Sequence, residues 1–511
     1  MKKNWPVLAL AAVAALVAAY VFDSKLDIGG DNAGYYILGQ SIAEGHGYTN
    51  IHLFNQSAAS HFPPGYPLIV AILMMVSSSF VWLKVANVAM FIGTLLLLRP
   101  MVRDITKSEE VAWVVLALVL FNAHLLRYST IMMSEIPFLF VSVLTLSALM
   151  QWQKSEAGSR NYWLLLSAVI VASVLSFHIR TAGIALIGGI IWYLVMQRQW
   201  RHAIIYGGGF GLLSLPWFLR GQSLGGNAYV NQLFMVNPYR PDEGQMASMG
   251  NWVDRISNNF SRYLGKELPN GMFPQLEVTY LDESSGWIVI GLLILVTAGY
   301  GIWKMPKWRA LMLGYIGSSF IIFLLWPDVW YGIRFVLPIV PFIAVASIYG
   351  VYAFMKDRAK LSPYVLGVLV LPQLMALGPV RESAQKAHPN QFLEYFQMAE
   401  AIGQQSAEDA IICTTKPALF FLHGQRAAIR TPKTQDPAAF MAKLDDVGVD
   451  YVVVDAMGYS WALQSTQNAL TAYPNRFRAV SKQSPMGTVV LEVLPATAES
   501  SVDASEPAPQ P

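Results

Sequence analysis

The sequence predicts a mainly α-helical polytopic membrane protein, with about 11 transmembrane spans followed by a small C-terminal extracytoplasmic α/β domain. Three observations lead to this fold class. Of the 511 residues, 54% are hydrophobic and only 13% are charged, which is about half the charge of a typical soluble domain. Apolar stretches close to the ~20 residues that cross a bilayer recur along the N-terminal three quarters of the chain. Basic residues gather in alternate connections between these stretches, as the positive-inside rule requires.

Span length and charge bias together define the predicted topology. The predicted spans cover residues 6–22, 83–98, 110–126, 135–152, 162–178, 182–198, 202–219, 286–303, 308–326, 334–354 and 362–378. Basic segments at 154–160, 198–202, 304–309 and 356–360 then fall inside. This places the N-terminus in the cytoplasm and the C-terminal domain outside, in an inner (plasma) membrane. The least defined boundary is 178–182, where two ionisable residues interrupt an apolar run.

The first span has a basic start and an apolar core, as a signal peptide does. Because no small-x-small cleavage site precedes Asp23, an uncleaved span is favoured, with cleavage as the alternative. Residues 23–80 then form the first extracytoplasmic loop, in which the short apolar stretch 66–76 predicts an interfacial helix. Residues 220–285 form a second large loop, which either covers the site or is an ordinary surface loop.

The chain divides into a membrane module at 1–380, a soluble α/β domain at 381–495 and a tail at 496–511. In the α/β domain, short apolar segments alternate with amphipathic ones, which is the pattern of a small layered sheet. The predicted strands lie at 410–413, 427–430, 451–455, 477–482 and 488–494. The domain lacks a glycine-rich phosphate loop and a nucleophile elbow. The tail is rich in Ser, Ala, Glu and Pro and is predicted to be disordered.

Composition excludes several classes of function. A net charge of +3 without a basic run argues against nucleic acid as a partner. The one cysteine, Cys413, excludes an intramolecular disulfide and gives no zinc-ligand cluster. The histidines near the predicted outer surface have no spacing that compels metal binding. The metal ligands are therefore unknown, no cofactor is assigned, and a divalent cation is left open.

The first loop carries the densest group of polar motifs in the N-terminal half of the chain. Its motifs are Asp31-x-x-x-Tyr35, Gly45-His46-Gly47-Tyr48 and His61-Phe62-Pro63-Pro64-Gly65-Tyr66. Asp27 and Asp31 would share one helical face at i,i+4 spacing. Asp31 alone could be a helix N-cap after two glycines. Because the polar pattern continues through His46, Tyr48 and His61, we favour a reactive carboxylate beside the membrane.

Cations at the outer ends of predicted spans are few. Lys84 shares a helical face with Asn87, and the alternative is a lysine that snorkels to the interface. Arg180 interrupts an apolar run, where ionisable residues are functional candidates, or it is a loop arginine between two spans. Arg334 follows an aromatic segment that contains Tyr331, and arginine suits forked phosphate contacts. Its alternative role is an ion pair with the nearby Asp328.

A second carboxylate of interest is Glu135, which follows Ser134 at the outer start of the fourth span. Glu135 is either a site residue or a helix-capping residue before Pro137. Tyr128 closes the third span on the same side. These residues complete a charged and aromatic outer rim that suits a phosphate and a sugar ring together.

These motifs resemble the GT-C superfamily of integral-membrane glycosyltransferases, in the branch of the protein O-mannosyltransferases and the lipid A aminoarabinose transferase. The resemblance is sharpest at residues 31–67, Tyr128–Glu135, Arg180–Gly183, Leu215–Trp217 and Arg334–Pro338. It implies inverting transfer of a sugar from a polyprenyl-phosphate carrier, with Asp31 as general base or acceptor-positioning carboxylate. It also implies that an acidic residue near Glu135 supports the site or a metal. O-mannosyltransferases typically have Asp-Glu at the first-loop position, whereas Asn32 follows Asp31 here, which argues against a protein acceptor.

The chemistry is consistent with one carboxylate. A polyprenyl phosphate is a good leaving group, so the enzyme has to activate an acceptor hydroxyl and stabilise the departing phosphate. A single displacement does not require the nucleophilic carboxylate of a retaining hydrolase. The catalytic residues are assigned as Asp31 and Glu135. Substrate contacts are assigned to Tyr35, His46, Tyr48, His61, Lys84, Tyr128, Arg180, Tyr331 and Arg334.

The sequence therefore predicts an inverting glycosyltransferase that uses a polyprenyl-phosphate sugar in the lipid membrane as its donor. It would move a hexosyl or pentosyl group to a glycan, lipid or protein hydroxyl on the extracytoplasmic face of the membrane. One alternative is a transporter or flippase of lipid-linked saccharides. Transporters typically show repeated halves and charges at the membrane midplane, whereas the charges here lie at span ends. Another alternative is a non-catalytic scaffold, for which substitution of Asp31 would be silent.

Overall fold

The computed structural model describes residues 5–226, 228–280, 286–355, 362–481 and 484–495. The chain forms two compact units. One comprises residues up to Tyr48 and Ala58–Lys386, and the other comprises Thr49–Ser57 and the chain from Ala387 onward. The predicted disordered tail at 496–511 and the basic segment at 356–360 lie outside the described residues. The predicted domain boundaries stay a prediction.

The first unit is helical. Its helices are α1 (Trp5–Tyr20), α2 (Asn32–Ala43), α3 (Gly65–Met74), α4 (Phe80–Thr106), α5 (Glu109–Leu120), α6 (Ala123–Ser129), α7 (Glu135–Trp152), α8 (Arg160–Ile179), α9 (Ile184–Met196), α10 (Trp200–Ser223), α11 (Ala228–Leu233), α12 (Met249–Arg262), α13 (Leu268–Met272), α14 (Ile288–Lys304), α15 (Arg309–Leu325), α16 (Val340–Met355), α17 (Ser362–Met375) and α18 (Leu377–Gln385). Short 3₁₀ segments lie at Thr181–Gly183, Pro241–Glu243, Ile333–Phe335 and Leu337–Ile339, and one π-helical segment covers Tyr263–Glu267.

Several helices are suited to cross a membrane. Within the described part of the chain, five helices are long and apolar enough: Phe80–Thr106, Glu135–Trp152, Arg160–Ile179, Trp200–Ser223 and Leu337–Met355. A sixth would be the pair α5 and α6, if they cross as one bent span. Shorter apolar helices lie at Pro6–Tyr20, Gly65–Met74, Thr181–Met196, Ile288–Lys304 and Arg309–Leu325. The total of eleven spans therefore stays a prediction.

The predicted span at 110–126 consists of two helices, α5 and α6, which meet at an angle of 59°. Asn122 causes the break. Its Oδ1 accepts a hydrogen bond from Leu125 N at 3.0 Å and so caps α6, which is a preferred role of asparagine. Its Nδ2 donates at 2.8 Å to the carbonyl oxygen of Gly271, which is far away in the sequence. The bend therefore depends on a tertiary partner that a local pattern does not reveal.

The core of the first unit lies between the long helices. Leu95 of α4, Leu139 of α7, Leu186 of α9 and Val345 of α16 are fully buried. Other apolar side chains face outward, such as Leu212 of α10, which is 70% exposed. Helices that are apolar all round are typical of membrane spans, because lipid then covers the faces that protein leaves open. The first unit therefore has the surface expected of a membrane protein.

Within its described residues, the second unit contains a five-stranded sheet and four α-helices. The helices are α19 (Asn390–Gln405), α20 (Pro417–Gly424), α21 (Pro437–Val447) and α22 (Ser460–Ala472), and the strands are β1 (Ile412–Thr414), β2 (Ala428–Arg430), β3 (Tyr451–Val454), β4 (Phe477–Ala479) and β5 (Val489–Val493). The strand order is β2-β1-β3-β5-β4, with β1 parallel to β2 and β3, and β5 antiparallel to β3 and β4. Each predicted strand overlaps one of these strands. Cys413 is fully buried in this sheet.

A short excursion from the predicted first loop also belongs to the second unit. Phe54 N donates to Ala428 O at 3.3 Å, and Ala428 N donates to His52 O at 2.9 Å. These bonds attach residues 49–57 to the edge strand β2. The prediction of residues 23–80 as one loop does not include this contact, because residues 49–57 show no strand pattern that would indicate pairing with β2.

Candidate active site

Two carboxylates and two arginines from distant parts of the first unit form one group, here called the acid–arginine cluster (Asp31, Glu135, Arg180 and Arg334). Arg334 Nη2 donates to Asp31 Oδ2 at 2.7 Å, across 303 positions of sequence. Arg334 Nε lies 3.4 Å from Glu135 Oε1, and Arg180 Nη1 lies 2.7 Å from the same oxygen. The structure thus brings together both predicted catalytic residues and two of the three predicted outer cations.

Exposure separates the two carboxylates. The side chain of Glu135 is fully buried, whereas that of Asp31 is 25% exposed. Within the described residues, neither oxygen of Glu135 has a well-directed hydrogen bond, so its charge is balanced by the two guanidinium groups. Removing one partner of such a buried pair is costly because an uncompensated charge remains. Glu135 therefore holds the arginines, and Asp31 is the carboxylate that a reactant can approach.

The turn before α2 directs Asp31 into the cluster. Asp27 Oδ1 accepts a hydrogen bond from Gly29 N at 2.7 Å, and Asn32 Nδ2 donates to Gly29 O at 2.7 Å. Asp31 occupies the N-cap position of α2, but its side chain makes no capping hydrogen bond. The neighbouring residues thus stabilise the turn, and the Asp31 carboxylate is left to pair with Arg334.

Arg180 lies at a break between α8 and α9 that the sequence marked as its least defined boundary. The residue is extended, with φ −145° and ψ 132°, and a 3₁₀ turn follows it. Gly65 of the Pro-Pro-Gly-Tyr motif packs against this break. A Cβ atom on Gly65 would lie 2.6 Å from the carbonyl oxygen of His178, so only glycine fits without a shift of backbone. The motif therefore sets the position of the segment that carries Arg180.

Ser134 and Tyr35 connect the cluster to an aromatic wall. Arg180 Nη1 donates to Ser134 Oγ at 3.0 Å, and Tyr35 Oη lies 3.1 Å from the same oxygen. The Tyr35 ring contacts Phe62 and Tyr66, with centroid distances of 4.7 and 4.9 Å. Burial and the nearby charge of Asp31 raise the pKa of Tyr35 well above its ordinary value, so the hydroxyl stays protonated. Ser134, although part of a quoted motif, was not among the predicted site residues.

His61 and Tyr229 form a second wall of the site. Their rings stack with a centroid distance of 5.5 Å and an interplanar angle of 29°. Burial lowers the pKa of His61, so the imidazole is neutral near pH 7; Asp31 opposes this shift and Arg334 adds to it. Burial and Asp31 raise the pKa of Tyr229 to about 12. Tyr229 lies in the predicted 220–285 loop, where no motif distinguishes it, so it is not among the predicted site residues.

Tyr128 also faces the cluster. It lies in α6, beyond the bend at Asn122, and is within electrostatic range of Glu135, Arg334 and Arg180. The bend between α5 and α6 therefore brings a predicted substrate-binding tyrosine towards the charged group.

Two predicted site residues have other partners. Lys84 is only 1% exposed, so it does not snorkel to the surface. Its Nζ donates to Asp23 O at 2.8 Å and to Lys25 O, so backbone carbonyls take up its charge. His46 is half exposed and lies 3.8 Å from Glu44. The structure brings neither residue to the acid–arginine cluster.

Tyr48 supports the loop through its own contacts. Its hydroxyl donates to Phe62 O at 2.9 Å, and the guanidinium of Arg220 lies 5.3 Å from its ring centroid. Arg220 also donates to Tyr48 O and Ala59 O, at 3.2 and 2.6 Å. These contacts hold together the two ends of the excursion at 49–57. A structural role for Tyr48 accounts for all of them.

The aromatic segment before Arg334 has partners of its own. Tyr331 is 47% exposed and stacks on Tyr280, with a centroid distance of 4.8 Å. Asp328 Oδ2 accepts a hydrogen bond from Asn258 Nδ2 at 3.3 Å. Arg334 pairs with Asp31 and Glu135. The alternative prediction, an ion pair between Arg334 and Asp328, is therefore wrong.

No metal-ligand set is assigned. Among the described residues, no group of three or more His, Cys, Asp or Glu side chains is arranged to hold a metal ion. The structure therefore does not assign ligands to the divalent cation that the sequence left open.

Comparisons with known proteins bear on the family and the fold of the chain. The family model described as dolichyl-phosphate-mannose-protein mannosyltransferase matches residues 30–222, the region that contains Asp31, Glu135 and Arg180. No curated protein matches the chain significantly by sequence.

Solved structures resemble the chain along nearly its whole length. ArnT from Cupriavidus metallidurans, bound to undecaprenyl phosphate, has a TM-score of 0.64 at 12% identity, covering 96% of this chain and 98% of its own. The oligosaccharyltransferase AglB from Archaeoglobus fulgidus, in complex with an inhibitory peptide and a dolichol-phosphate, has a TM-score of 0.60 at 13% identity, covering 96% and 74%. The arabinofuranosyltransferase AftD from Mycobacteria has a TM-score of 0.53 at 11% identity, covering 96% and 40%. The chain therefore has the GT-C fold, and the predicted resemblance is confirmed.

Proposed function

We propose that this GT-C-fold protein is an inverting glycosyltransferase that moves a sugar from a polyprenyl-phosphate donor to a hydroxyl acceptor on the extracytoplasmic face of the membrane. The observation that carries the proposal is the acid–arginine cluster, in which Arg334 lies between an accessible carboxylate and a buried one. Similarity of fold alone would not carry it, since one fold hosts many functions.

The two arginines are suited to the phosphate of the donor. Guanidinium groups bind phosphate oxygens through forked hydrogen bonds, and a dry site strengthens them. Arg334 is 29% exposed and Arg180 is 12% exposed, so both border the accessible side of the cluster. Glu135 keeps them close together by opposing their mutual repulsion. A phosphate that binds Arg334 would compete with Asp31 for it.

Release of Asp31 from Arg334 gives the carboxylate its catalytic role. Asp31 takes the proton of the acceptor hydroxyl, and the acceptor oxygen forms a bond to the anomeric carbon. The bond from that carbon to the phosphate oxygen breaks, and Arg334 and Arg180 stabilise the phosphate that departs. One bond forms and one breaks on opposite faces of the sugar, which inverts the configuration.

The similar structures support a polyprenyl-phosphate donor. ArnT is described with undecaprenyl phosphate and AglB with a dolichol-phosphate. Both are proteins in which a lipid phosphate is bound by a GT-C fold. We extend this ligand class to the present chain, because its arginines provide the charge that such a phosphate requires. The acceptor is a glycan, a lipid or a protein hydroxyl.

The proposed location follows from the charge bias of the sequence. The protein lies in the inner (plasma) membrane with its N-terminus in the cytoplasm and its C-terminal α/β domain outside. Residues 1–380 form the transferase module, and residues 381–495 form the extracytoplasmic domain. The acid–arginine cluster then faces the outer side, where a lipid-linked sugar presents its phosphate.

Binding of undecaprenyl phosphate to the purified full chain in detergent tests the proposal. Arg334→Ala should weaken binding at least tenfold, since it removes the cation nearest to Asp31. Arg240→Ala is the matched control, because Arg240 is exposed and its ion pair among the described residues is with Glu243 in its own turn. Equal affinities of Arg334→Ala and Arg240→Ala would overturn the proposed phosphate site. Deleting the gene and identifying the extracytoplasmic glycan that loses a sugar would then name the acceptor.

A further inference from the structure

A second buried ion pair lies in the first unit, outside the acid–arginine cluster. Arg262 Nε donates to Glu267 Oε1 at 2.8 Å, and the Glu267 side chain is fully buried. Neither residue touches the four members of the cluster through any contact that the described residues show. Burying such a pair costs desolvation free energy, which the contacts of the pair have to offset.

The π-helical segment Tyr263–Glu267 explains how the pair forms. In an α-helix, residues five apart point about 140° away from each other and do not meet. In a π-helix the hydrogen bonds run from i to i+5, so residues five apart lie on one side. Leu268 N donates to Tyr263 O in this way. The π-helical turn therefore places Glu267 beside Arg262.

The pair holds a turn of the chain, Trp326–Gly332, which leads directly to Arg334. Arg262 Nη1 donates to Asp328 O at 2.6 Å. Glu267 Oε1 accepts from Gly332 N at 3.4 Å. Gly332 has φ +121°, a conformation that favours glycine, and Arg334 follows two residues later.

The same face of α12 adds two asparagines to this contact. Asn259 Nδ2 donates to Trp326 O at 2.7 Å and to Leu324 O at 3.0 Å. Asn258 Nδ2 donates to the Asp328 side chain at 3.3 Å. Asn258, Asn259, Arg262 and Glu267 are here called the loop clamp. The side chains of the loop clamp mostly contact backbone atoms of the turn. They therefore fix the path of the turn independently of the side chains that the turn carries.

We propose that the Arg262–Glu267 pair is a positioning device that fixes the turn Trp326–Gly332 and thereby keeps the Arg334 guanidinium between Asp31 and Glu135. Arg262 and Glu267 are positioning residues, since they act through the turn and not on a substrate. The effect on the turn stands by itself, whereas the effect on a lipid phosphate rests on the proposed function.

The effect on the turn can be measured without any substrate. In Glu267→Gln, Gly332 N keeps an acceptor, but the charge that holds Arg262 is lost. Hydrogen exchange of residues 326–336 in the full chain should become at least tenfold faster, with little change in other segments of the first unit. Arg262→Lys, which keeps the charge but loses the guanidinium fork, should have a similar effect. Glu243→Gln removes an exposed carboxylate from the same large loop and is the control.

A double-mutant cycle with undecaprenyl phosphate as the probe separates positioning from general damage. Glu267→Gln should weaken binding about tenfold in the natural chain but less than twofold in the Arg334→Ala background, because its effect passes through Arg334. The inference would be overturned if the losses in affinity caused by Glu267→Gln and Arg334→Ala simply multiplied in the double variant. It would also be overturned if Glu267→Gln left the hydrogen exchange of residues 326–336 unchanged. If the natural chain does not bind the probe, the proposed function fails, and the exchange measurement still decides whether the clamp acts on the turn.

Discussion

At the scale of single residues, burial distinguishes the two carboxylates that the sequence assigned as catalytic. Both Asp31 and Glu135 precede or begin a helix in a polar motif. Glu135 is fully buried between Arg180 and Arg334, while Asp31 reaches the accessible side of the cluster. This difference supports the proposal that Asp31 takes the proton and that Glu135 holds the arginines in place.

Glu135→Ala tests the structural part of this assignment. We expect it to lower the free energy of unfolding by about 3–5 kcal/mol, because Arg180 would remain buried without its counter-ion. Glu135→Gln should cost less, since the amide oxygen keeps a partial negative charge beside the Arg180 guanidinium. Unfolding by denaturant in detergent measures both changes. A loss below about 1 kcal/mol in Glu135→Ala would contradict the role of Glu135 as the buried counter-ion.

The structure brings predicted residues together where a polar motif or an interrupted apolar run marked their positions. Arg180 and Arg334 stood out because charged residues at span ends are rare, and Asp31 stood out in the polar motifs of the first loop. Lys84 satisfied the same criterion, yet its ammonium group binds the carbonyl oxygens of Asp23 and Lys25. Tyr229 does not satisfy this criterion, and yet its ring stacks on His61 at the site. Sequence reveals where charges are costly, but it does not reveal which partners neutralise them.

At the scale of elements, the breaks in the helices matter as much as the helices. The sequence located the break at Arg180, because ionisable residues interrupted an apolar run there. It did not locate the bend at Asn122 or the π-helical turn Tyr263–Glu267. Both depend on tertiary partners, Gly271 for Asn122 and the turn before Arg334 for Glu267. Local periodicity carries no record of such partners.

Gly65→Ala tests the contact between the start of α3 and the break after α8. The new Cβ would lie 2.6 Å from the His178 carbonyl oxygen, so one backbone segment has to move. We expect a loss of about 1–3 kcal/mol in unfolding free energy, as for other overpacked sites. Weaker binding of undecaprenyl phosphate should accompany this loss, since Arg180 shifts with the break.

Gly208→Ala is the matched control for this substitution. Gly208 lies within α10, and a Cβ atom there would have no neighbour within 4 Å. Alanine favours a helix over glycine by up to about 1 kcal/mol, so the control should be neutral or stabilising. Identical behaviour of Gly65→Ala and Gly208→Ala would show that the contact with His178 does not matter.

The attachment of residues 49–57 to the second unit should depend on pH. Burial lowers the pKa of His52 to about 4, below the ~6.5 of an unfolded chain. Between these values the unfolded state binds more protons, so stability is full above pH 6.5 and falls as the pH drops towards 4. Hydrogen exchange of Phe54 and Ala428, corrected for its intrinsic pH dependence, should lose protection between pH 7 and pH 5.

His52→Gln should remove most of that pH dependence, because the amide does not titrate. The matched control is His46→Gln, since His46 is a half-exposed histidine of the same predicted loop. If His52→Gln retains the full loss of protection at pH 5, another group controls the attachment.

At the scale of the whole molecule, the fold is shared with glycosyltransferases that have little sequence in common with it. The identity to ArnT is 12% at a TM-score of 0.64. Apolar spans tolerate exchange of one apolar residue for another, so they conserve shape without conserving sequence. Apolar span lengths and charge bias predicted the fold class, whereas the few polar islands carried the resemblance to a family.

The topology proposed from charge bias can be tested directly. Alkaline phosphatase fused after residue 386, at the end of the first unit, should be active, because this point is proposed to lie outside. A fusion after residue 200, next to a basic segment, should be inactive. Activity of the second fusion with inactivity of the first would invert the proposed orientation and place the acid–arginine cluster on the cytoplasmic side.

The central claim is that Asp31 is the catalytic base of a polyprenyl-phosphate-dependent sugar transfer. The most direct measurement is transferase activity of Asp31→Asn, with a polyprenyl-phosphate sugar as donor, in membranes that contain equal amounts of the natural and the variant chain. We expect transfer to be lost, while membrane insertion, yield and binding of undecaprenyl phosphate persist, because asparagine keeps the shape but does not take the proton. Transfer by Asp31→Asn at the rate of the natural chain would contradict the claim.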